Sequence, residues 1–210
     1  MKVVSSELNE MATKTSPKGK ISYEEFLNWC DEDTRAEWVD GEVSMVSPAS
    51  KRHQNVSLFL SYLLHSYVVS KNLGEILQSP FQMKLGLSGR EPDILFVASA
   101  HLDRLKDTYL DGPADTVIEI ISRESRNRDW EDKFIEYESA EIPEYWIIDP
   151  VTEQAEFFRL GADNHYYSVA PDVEGCYYSE AIPDFWVKIS WLWEDPLPSV
   201  LLILREMDII

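Results

Sequence analysis

The chain has 210 residues, of which 44% are hydrophobic and 27% charged, a composition that fits one globular domain and excludes a disordered or collagen-like protein. Its 38 acidic residues against 19 Lys and Arg give a net charge of −19. This charge excludes binding to nucleic acid or anionic membranes through bulk electrostatics. Any nucleic-acid role therefore needs a local positive surface or bound cations.

No segment of the sequence has the pattern of a secretory signal or a membrane span. Residues 1–20 are polar, and we expect them to form a flexible tail. The longest apolar run, residues 200–204, is far shorter than a spanning helix requires. The two cysteines have neither metal-ligand spacing nor a disulfide framework. The sequence predicts a cytoplasmic protein with a main domain over residues 21–192 and a helical extension over residues 193–210.

The first predicted elements are a capped helix, a hairpin and a long helix. Ser22 and Glu25 have the spacing of a capping box, which predicts a helix that begins after Ser22. The dipeptide Asp40-Gly41 lies between two partly alternating segments and predicts a β-hairpin. Apolar residues then recur at helical spacing over residues 51–70, after a potential N-cap at Ser50. We expect Gly74 to end this helix.

The remaining elements predict a mixed sheet. Residues 92–97 and 116–121 are nearly continuous apolar runs, which is typical of strands buried on both faces. The other predicted elements are a strand at 75–85, a helix at 125–140, a strand at 145–148, a hairpin at 155–169, a strand near 185–189 and a helix after Pro198. This order predicts an α/β fold with a mixed sheet and a helix on each face.

Each of the two apolar strands is interrupted by one carboxylate, Asp93 or Glu119. A buried carboxylate is costly unless it is paired or binds a metal, and two that lie close together resist ionisation. A divalent cation removes that repulsion, and oxygen ligands favour Mg²⁺ or Mn²⁺ over zinc. The alternative is that one of the acids simply pairs with Arg90 or Arg123.

A group of basic residues follows the Glu119 strand, namely Arg123, Arg126, Arg128 and Lys133. They are either the solvated start of a helix or a positive rim that binds nucleic acid around a site. The tryptophans are expected to be core residues rather than platforms on which bases stack.

Taken in order, the motifs of the chain resemble the Uma-two type of restriction endonucleases, within the PD-(D/E)xK nuclease superfamily. The resemblance covers roughly residues 20–192. Its pieces are Asp40-Gly41-Glu42, Ser47-Pro48, His53, residues 91–97, residues 117–122, Asp129, Lys133, Tyr137 and residues 144–150. It implies a restriction-endonuclease-like core with the element order αβββαβ, and extra strands and a helix at the C-terminus.

The resemblance also implies a metal centre in which Asp93, Glu119 and the backbone carbonyl of Ile120 bind Mg²⁺ or Mn²⁺. The superfamily's usual lysine lies two residues after the second acid, where this chain has Ile121. The resemblance implies that Lys133 on the next helix replaces it. We expect Lys133 to orient or deprotonate the attacking water, since a lysine near a metal and in a cleft has a lowered pKa that suits a general base. The alternative is an ordinary lysine on the helix surface.

Two accessory catalytic residues, His53 and Glu42, are placed near the site by the resemblance. Either could bind a second metal ion or contact a phosphate. Alternatively, His53 is a residue of the first helical turn bonded to backbone, and Glu42 is an ordinary turn carboxylate.

The sequence thus predicts a Mg²⁺-dependent endonuclease that hydrolyses phosphodiester bonds in DNA, with a homodimer as a plausible assembly because two strands need two sites. The rival hypothesis is a nuclease-like fold that no longer cuts and serves as a binding or assembly module. A third is a nuclease acting on RNA or branched DNA.

Overall fold

The computed structural model describes residues 16–31, 34–45, 49–121 and 129–210. Within them the helices are α1 (Tyr23–Trp29), α2 (Lys51–Lys71), α3 (Asp129–Ser139) and α4 (Val200–Glu206). The strands are β1 (Ala36–Val39), β2 (Glu42–Met45), β3 (Gly74–Gln78), β4 (Gln82–Leu85), β5 (Ser88–Arg90), β6 (Ile94–Ala98), β7 (Tyr109–Asp111), β8 (Thr116–Ile120), β9 (Glu144–Asp149), β10 (Gln154–Leu160), β11 (Tyr166–Ser168), β12 (Cys176–Tyr178) and β13 (Trp186–Lys188). Three predicted features lie outside the described residues: most of the tail, Ser47-Pro48, and the nucleic-acid-binding residues Arg123, Arg126 and Arg128.

The central layer is a six-stranded sheet with the order β11-β10-β9-β8-β6-β3. Strands β8 and β9 are parallel, and α3 lies between them in the chain, as the crossover of a parallel pair requires. The other neighbours in this sheet are antiparallel. Helix α2, the strands β3, β6 and β8, helix α3 and strand β9 thus form the αβββαβ core, which confirms the predicted fold class.

The two faces of this sheet pack against different helices because successive side chains of a strand point to opposite sides. Ile94, Ile118 and Trp146 belong to the core that contains the apolar side of α2. Leu95 and Val117 belong to a second core that contains Tyr137 of α3. The prediction of one helix on each face is confirmed for these elements.

A second, five-stranded sheet was not foreseen. Its order is β2-β1-β5-β4-β7, and it carries the hairpin β1–β2 predicted at Asp40-Gly41. The single strand predicted at 75–85 is wrong, because β3 belongs to the central sheet and β4 to the second one. The break lies at Ser79-Pro80, where proline has no N–H to donate to a continuous ladder.

Two helix starts and the hairpin turn agree with the sequence prediction, and one helix end does not. Ser22 and Glu25 form both bonds of a capping box, and the Ser50 hydroxyl accepts from the His53 N–H at the start of α2. The two turn residues Asp40 and Gly41 have positive φ angles of 46° and 87°. The prediction for Gly74 is wrong: Asn72, in the left-handed conformation, caps α2, and Gly74 begins β3.

The C-terminal helix α4 packs Ile203 and Leu204 into the core that contains α2. Among the residues the structure describes, no helix combines the length and the apolar character needed to cross a bilayer. Trp38, Trp146 and Trp191 are buried, and Trp186 and Trp193 pack against the core, as expected for structural tryptophans.

Candidate active site

Asp93 and Glu119 lie opposite each other at one end of the central sheet. The antiparallel register pairs Ile94 with Ile118, and continuing it by one residue pairs Asp93 with Glu119. Directly opposed residues in such a ladder have neighbouring side chains. The Ile120 N–H also donates a hydrogen bond of 2.7 Å to Oδ2 of Asp93, which fixes this carboxylate against the end of β8. The strand pairing therefore brings the two predicted carboxylates together.

Glu119 is held by two side chains of α3. The Tyr137 hydroxyl donates to its Oε1 at 2.8 Å, and Lys133 Nζ lies 3.0 Å from the same oxygen. Lys133 and Tyr137 are four residues apart, so they lie on the same side of the helix. Burial raises the pKa of Glu119, and the neighbouring charges of Asp93 and Glu37 raise it further, against the opposing effect of Lys133.

Lys133 reaches the site although the usual superfamily position is occupied by Ile121. Its side chain is only 12% exposed, and its Nζ lies between Glu119 and Glu37, 2.9 Å from Oε1 of Glu37. Burial alone would lower the pKa of Lys133, but the two carboxylates raise it above its ordinary value. The two carboxylates thus act in the direction opposite to the lowered pKa expected beside a metal ion, and Lys133 is a cation in this arrangement.

His53 approaches Asp93 from the other helix. Its Nε2 lies 3.2 Å from Oδ1 of Asp93, and its side chain is 10% exposed. Burial alone would lower the pKa of His53, but the bond and the charge of Asp93, with the Ile120 backbone, raise it. The first turn of α2 thus places the predicted histidine at the carboxylate pair.

Glu37 is the acidic residue at the site that sequence reasoning missed. It comes from β1, and its side chain is 14% exposed. Its Oε2 lies 3.1 Å from Arg90 Nη1, while the Glu91 N–H donates to its Oε1 at 3.4 Å. Burial alone would raise the pKa of Glu37, but Lys133 and Arg90 lower it. Glu37 is therefore a carboxylate held between two cations.

The predicted accessory residue Glu42 is not brought into this group. It is exposed on β2, opposite Val39, whereas Glu37 lies opposite Ser44. Instead, the charge of Glu42 contributes to raising the pKa of Lys20, which contacts Asp40 at the turn of the hairpin. The hairpin therefore contributes a carboxylate to the site, but from its first strand rather than its second.

The oxygen atoms at the end of the sheet fit a hard divalent cation. Both bonds to Glu119 end on Oε1, and no hydrogen bond within the described ranges reaches Oε2. Those ranges contain no group of three or more His, Cys, Asp and Glu side chains that could hold a metal ion. A centre here would therefore need a backbone carbonyl beside Asp93 and Glu119, as expected for Ile120.

A sequence signal for Glu37 existed but was weak. Alternation in β1 makes Ala36 and Trp38 buried and Glu37 and Val39 half-buried, so Glu37 points away from the small core around α1. The prediction concentrated on the turn carboxylate Glu42, because the resemblance named the Asp-Gly-Glu turn. Only the tertiary structure shows that Lys133 lies next to β1.

Comparison with known proteins agrees with this fold. A crystal structure described as that of "a putative nuclease belonging to DUF820 from Anabaena variabilis ATCC 29413" superposes with a TM-score of 0.70 at 15% identity, covering 82% of this chain and 97% of that one. No protein with a curated description matches the chain. The sequence profile of the Uma2 family, described as "Putative restriction endonuclease", matches residues 23–190. The chain, with its restriction-endonuclease-like core, belongs to the Uma2 family.

Proposed function

We propose that this protein is a metal-dependent endonuclease that hydrolyses phosphodiester bonds in DNA. One observation carries the proposal: Asp93 and Glu119 are opposed at the end of the sheet, with the Lys133 ammonium 3.0 Å from Glu119. Two carboxylates and a lysine at one point supply a cation site and a positive charge next to it. The family and the fold support a nuclease.

In this proposal Asp93, Glu119 and the Ile120 carbonyl would hold one Mg²⁺ or Mn²⁺ ion, which would supply Lewis-acid polarisation of the phosphate. Lys133 remains a cation, so its role is to orient the attacking water and to stabilise the negative charge of the transition state. His53 Nε2, 3.2 Å from Oδ1, and the Ile120 N–H, bonded to Oδ2, hold the Asp93 carboxylate at the end of β8.

The charge of the chain bears on the substrate. With a net charge of −19, the protein has no general attraction for DNA, and contacts with phosphate must come from cations near the site. Arg123, Arg126 and Arg128 remain the proposed contacts. A homodimer would supply two sites for two strands, and light scattering of the purified protein measures this directly.

The second candidate function is a binding or assembly module without catalysis. One observation favours it: Lys133 is engaged by two carboxylates, which compete with any phosphate for its charge. The two candidates differ in what DNA cleavage assays will show.

The metal site is tested by thermal unfolding with and without MnCl₂. We expect Mn²⁺ to raise the melting temperature of the wild type and not that of Asp93→Ala, because the variant lacks one of the two carboxylates. Asp111→Ala is a matched control, since Asp111 lies in the second sheet next to Lys84. An equal Mn²⁺ response of the wild type and Asp93→Ala would refute the metal site.

The catalytic role of Lys133 is tested by nicking of supercoiled plasmid in Mn²⁺. We expect Lys133→Ala to reduce the rate about a hundredfold, because a charge that stabilises the transition state is lost. Lys71→Ala, at the exposed end of α2, should cleave like the wild type. No cleavage by the wild type on DNA, RNA or branched substrates would favour the binding module instead.

A further inference from the structure

We infer that Glu37 is a positioning residue, which keeps Lys133 at the end of the sheet when Glu119 is engaged by a metal ion. This inference rests on the proposed function, because it assigns a further residue to the same site. It starts from the fact that Lys133 has two carboxylate partners, Glu119 at 3.0 Å and Glu37 at 2.9 Å.

The two partners are not equivalent. Glu119 lies in the pair that would hold the cation, and a carboxylate shared with a divalent ion attracts an ammonium less strongly. Glu37 comes from β1 in the other sheet and is not one of the two directly opposed carboxylates. It therefore remains as an anionic partner for Lys133 in either state of Glu119.

Glu37 is itself held by a second cation, Arg90. Continuing the β1–β5 register by one residue places it opposite Arg90, whose Nη1 lies 3.1 Å from its Oε2. Arg90 in turn donates from Nε and Nη2 to Oε2 of Glu136 on α3, at 2.8 and 2.6 Å. Charges alternate along Glu119, Lys133, Glu37, Arg90 and Glu136, and each member is mostly buried, so screening by water is weak.

The position of Glu37 fits a lysine support better than a metal ligand. Its two oxygens lie against two cations, Lys133 and Arg90, whose charges would repel a divalent ion. Without Glu37, a lysine released by Glu119 would have no carboxylate partner among its described contacts, and a long side chain would then leave the site.

The first experiment needs neither metal nor activity. The rate at which a lysine-acylating ester modifies Lys133 is measured by peptide mass spectrometry in the wild type, Glu37→Gln, Glu119→Gln and the double variant. Lys71, which is exposed, serves as the internal reference. We expect both single variants to react within threefold of the wild type, and the double variant at least tenfold faster, because either carboxylate alone retains the ammonium.

The acylation rate of Lys133 in Glu119→Gln decides whether the inference holds. If Glu119→Gln alone already reacts as fast as the double variant, Glu37 does not hold Lys133 and the inference is overturned. The comparison of Glu119→Gln with the wild type is decisive by itself, so failure of the double variant to fold, seen by circular dichroism, would not rescue the inference.

The second experiment separates positioning from metal binding. In Glu37→Gln we expect kcat for plasmid nicking to fall at least tenfold, while KM and the Mn²⁺ affinity measured by calorimetry stay within twofold of the wild type. Glu156→Gln, at an exposed position on β10 outside this chain of charges, should retain its kcat. A tenfold loss of Mn²⁺ affinity in Glu37→Gln would make Glu37 a metal ligand and overturn the positioning role.

The two experiments also distinguish the inference from the proposed function. A wild type that neither binds Mn²⁺ nor cleaves would refute the proposed nuclease. A fast-reacting Lys133 in Glu119→Gln, combined with normal cleavage by Glu37→Gln, would refute the role of Glu37 and leave the nuclease intact.

Discussion

Two buried glutamates in the same sheet, Glu144 on β9 and Glu119 on β8, are stabilised in different ways. Glu144 is fully buried and accepts hydrogen bonds from Trp146 Nε1 at 2.6 Å and from the backbone N–H groups of Glu180 and Ala181 at 2.8 and 3.0 Å. Glu119 accepts instead from Lys133 and Tyr137, and both bonds end on one oxygen.

The difference separates a structural carboxylate from a candidate catalytic one. The donors to Glu144 are backbone groups and an indole, which are fixed by the fold and reach both of its oxygens. The donors to Glu119 are two side chains of one helix that reach one of its oxygens, and the pKa of Glu119 is raised by burial and by neighbouring acids. A carboxylate that the fold does not satisfy completely is available to bind a ligand.

The largest expected effect is on stability, at Glu144. We expect Glu144→Ala to lower the free energy of unfolding by about 3 kcal/mol, because one buried and two partly buried donors lose their acceptor. Urea denaturation measures this, and Glu156→Ala, at an exposed position on β10, should change it by less than about 0.5 kcal/mol. A loss at Glu144 as small as that at Glu156 would remove the distinction between the two glutamates.

A smaller effect on stability is expected at Glu119. Glu119→Gln should change the free energy of unfolding by no more than about 1 kcal/mol, because the amide oxygen still accepts from Tyr137 and Lys133 keeps Glu37 as its partner. The same variant should lose the Mn²⁺-dependent rise in melting temperature. A large loss of stability together with an unchanged Mn²⁺ response would make Glu119 a structural residue like Glu144.

The smallest expected effect is a change of stability with pH at Glu91, a third glutamate held by hydrogen bonds. Its carboxylate accepts from the Ser79 hydroxyl at 2.8 Å and from Gln82 Nε2 at 3.2 Å, and burial raises its pKa. A raised pKa means that the folded protein binds this proton more tightly than the unfolded chain, so the contribution of Glu91 to stability decreases as pH rises through its titration. The melting temperature of Glu91→Gln relative to the wild type should therefore increase from about pH 4 to about pH 7. A difference that does not change with pH would contradict the raised pKa.

Local signals in the sequence were enough for the core of the fold. The capping box of Ser22 and Glu25, the turn at Asp40-Gly41 and the two apolar strands are determined by neighbouring residues, and each lies where it was predicted. Because side chains alternate along strands, the same patterns also place Asp93 and Glu119 on adjacent strands. These parts could be predicted because their causes lie within a few residues.

The rest depends on contacts between residues that are distant in the chain. The second sheet pairs β1 with β5 and β4 with β7, and these short strands have no distinct apolar pattern of their own. Glu37 meets Lys133 only because the hairpin and α3 pack together, and the pKa of Lys133 is raised by that meeting. Sequence reasoning therefore supplied the carboxylate pair and its lysine, but not the residue that supports the lysine.

Because β6 pairs with β8 in a fixed register, the proposed metal site depends on the number of residues between Asp93 and β6. Inserting one residue between Asp93 and Ile94 would keep both strands apolar, so the layers could still assemble. The carboxylate of Asp93 would nevertheless move away from its counterpart across the ladder, since one step along a strand reverses the direction of a side chain. Relatives with such an insertion would be expected to keep the architecture and lose the ability to hold an ion there.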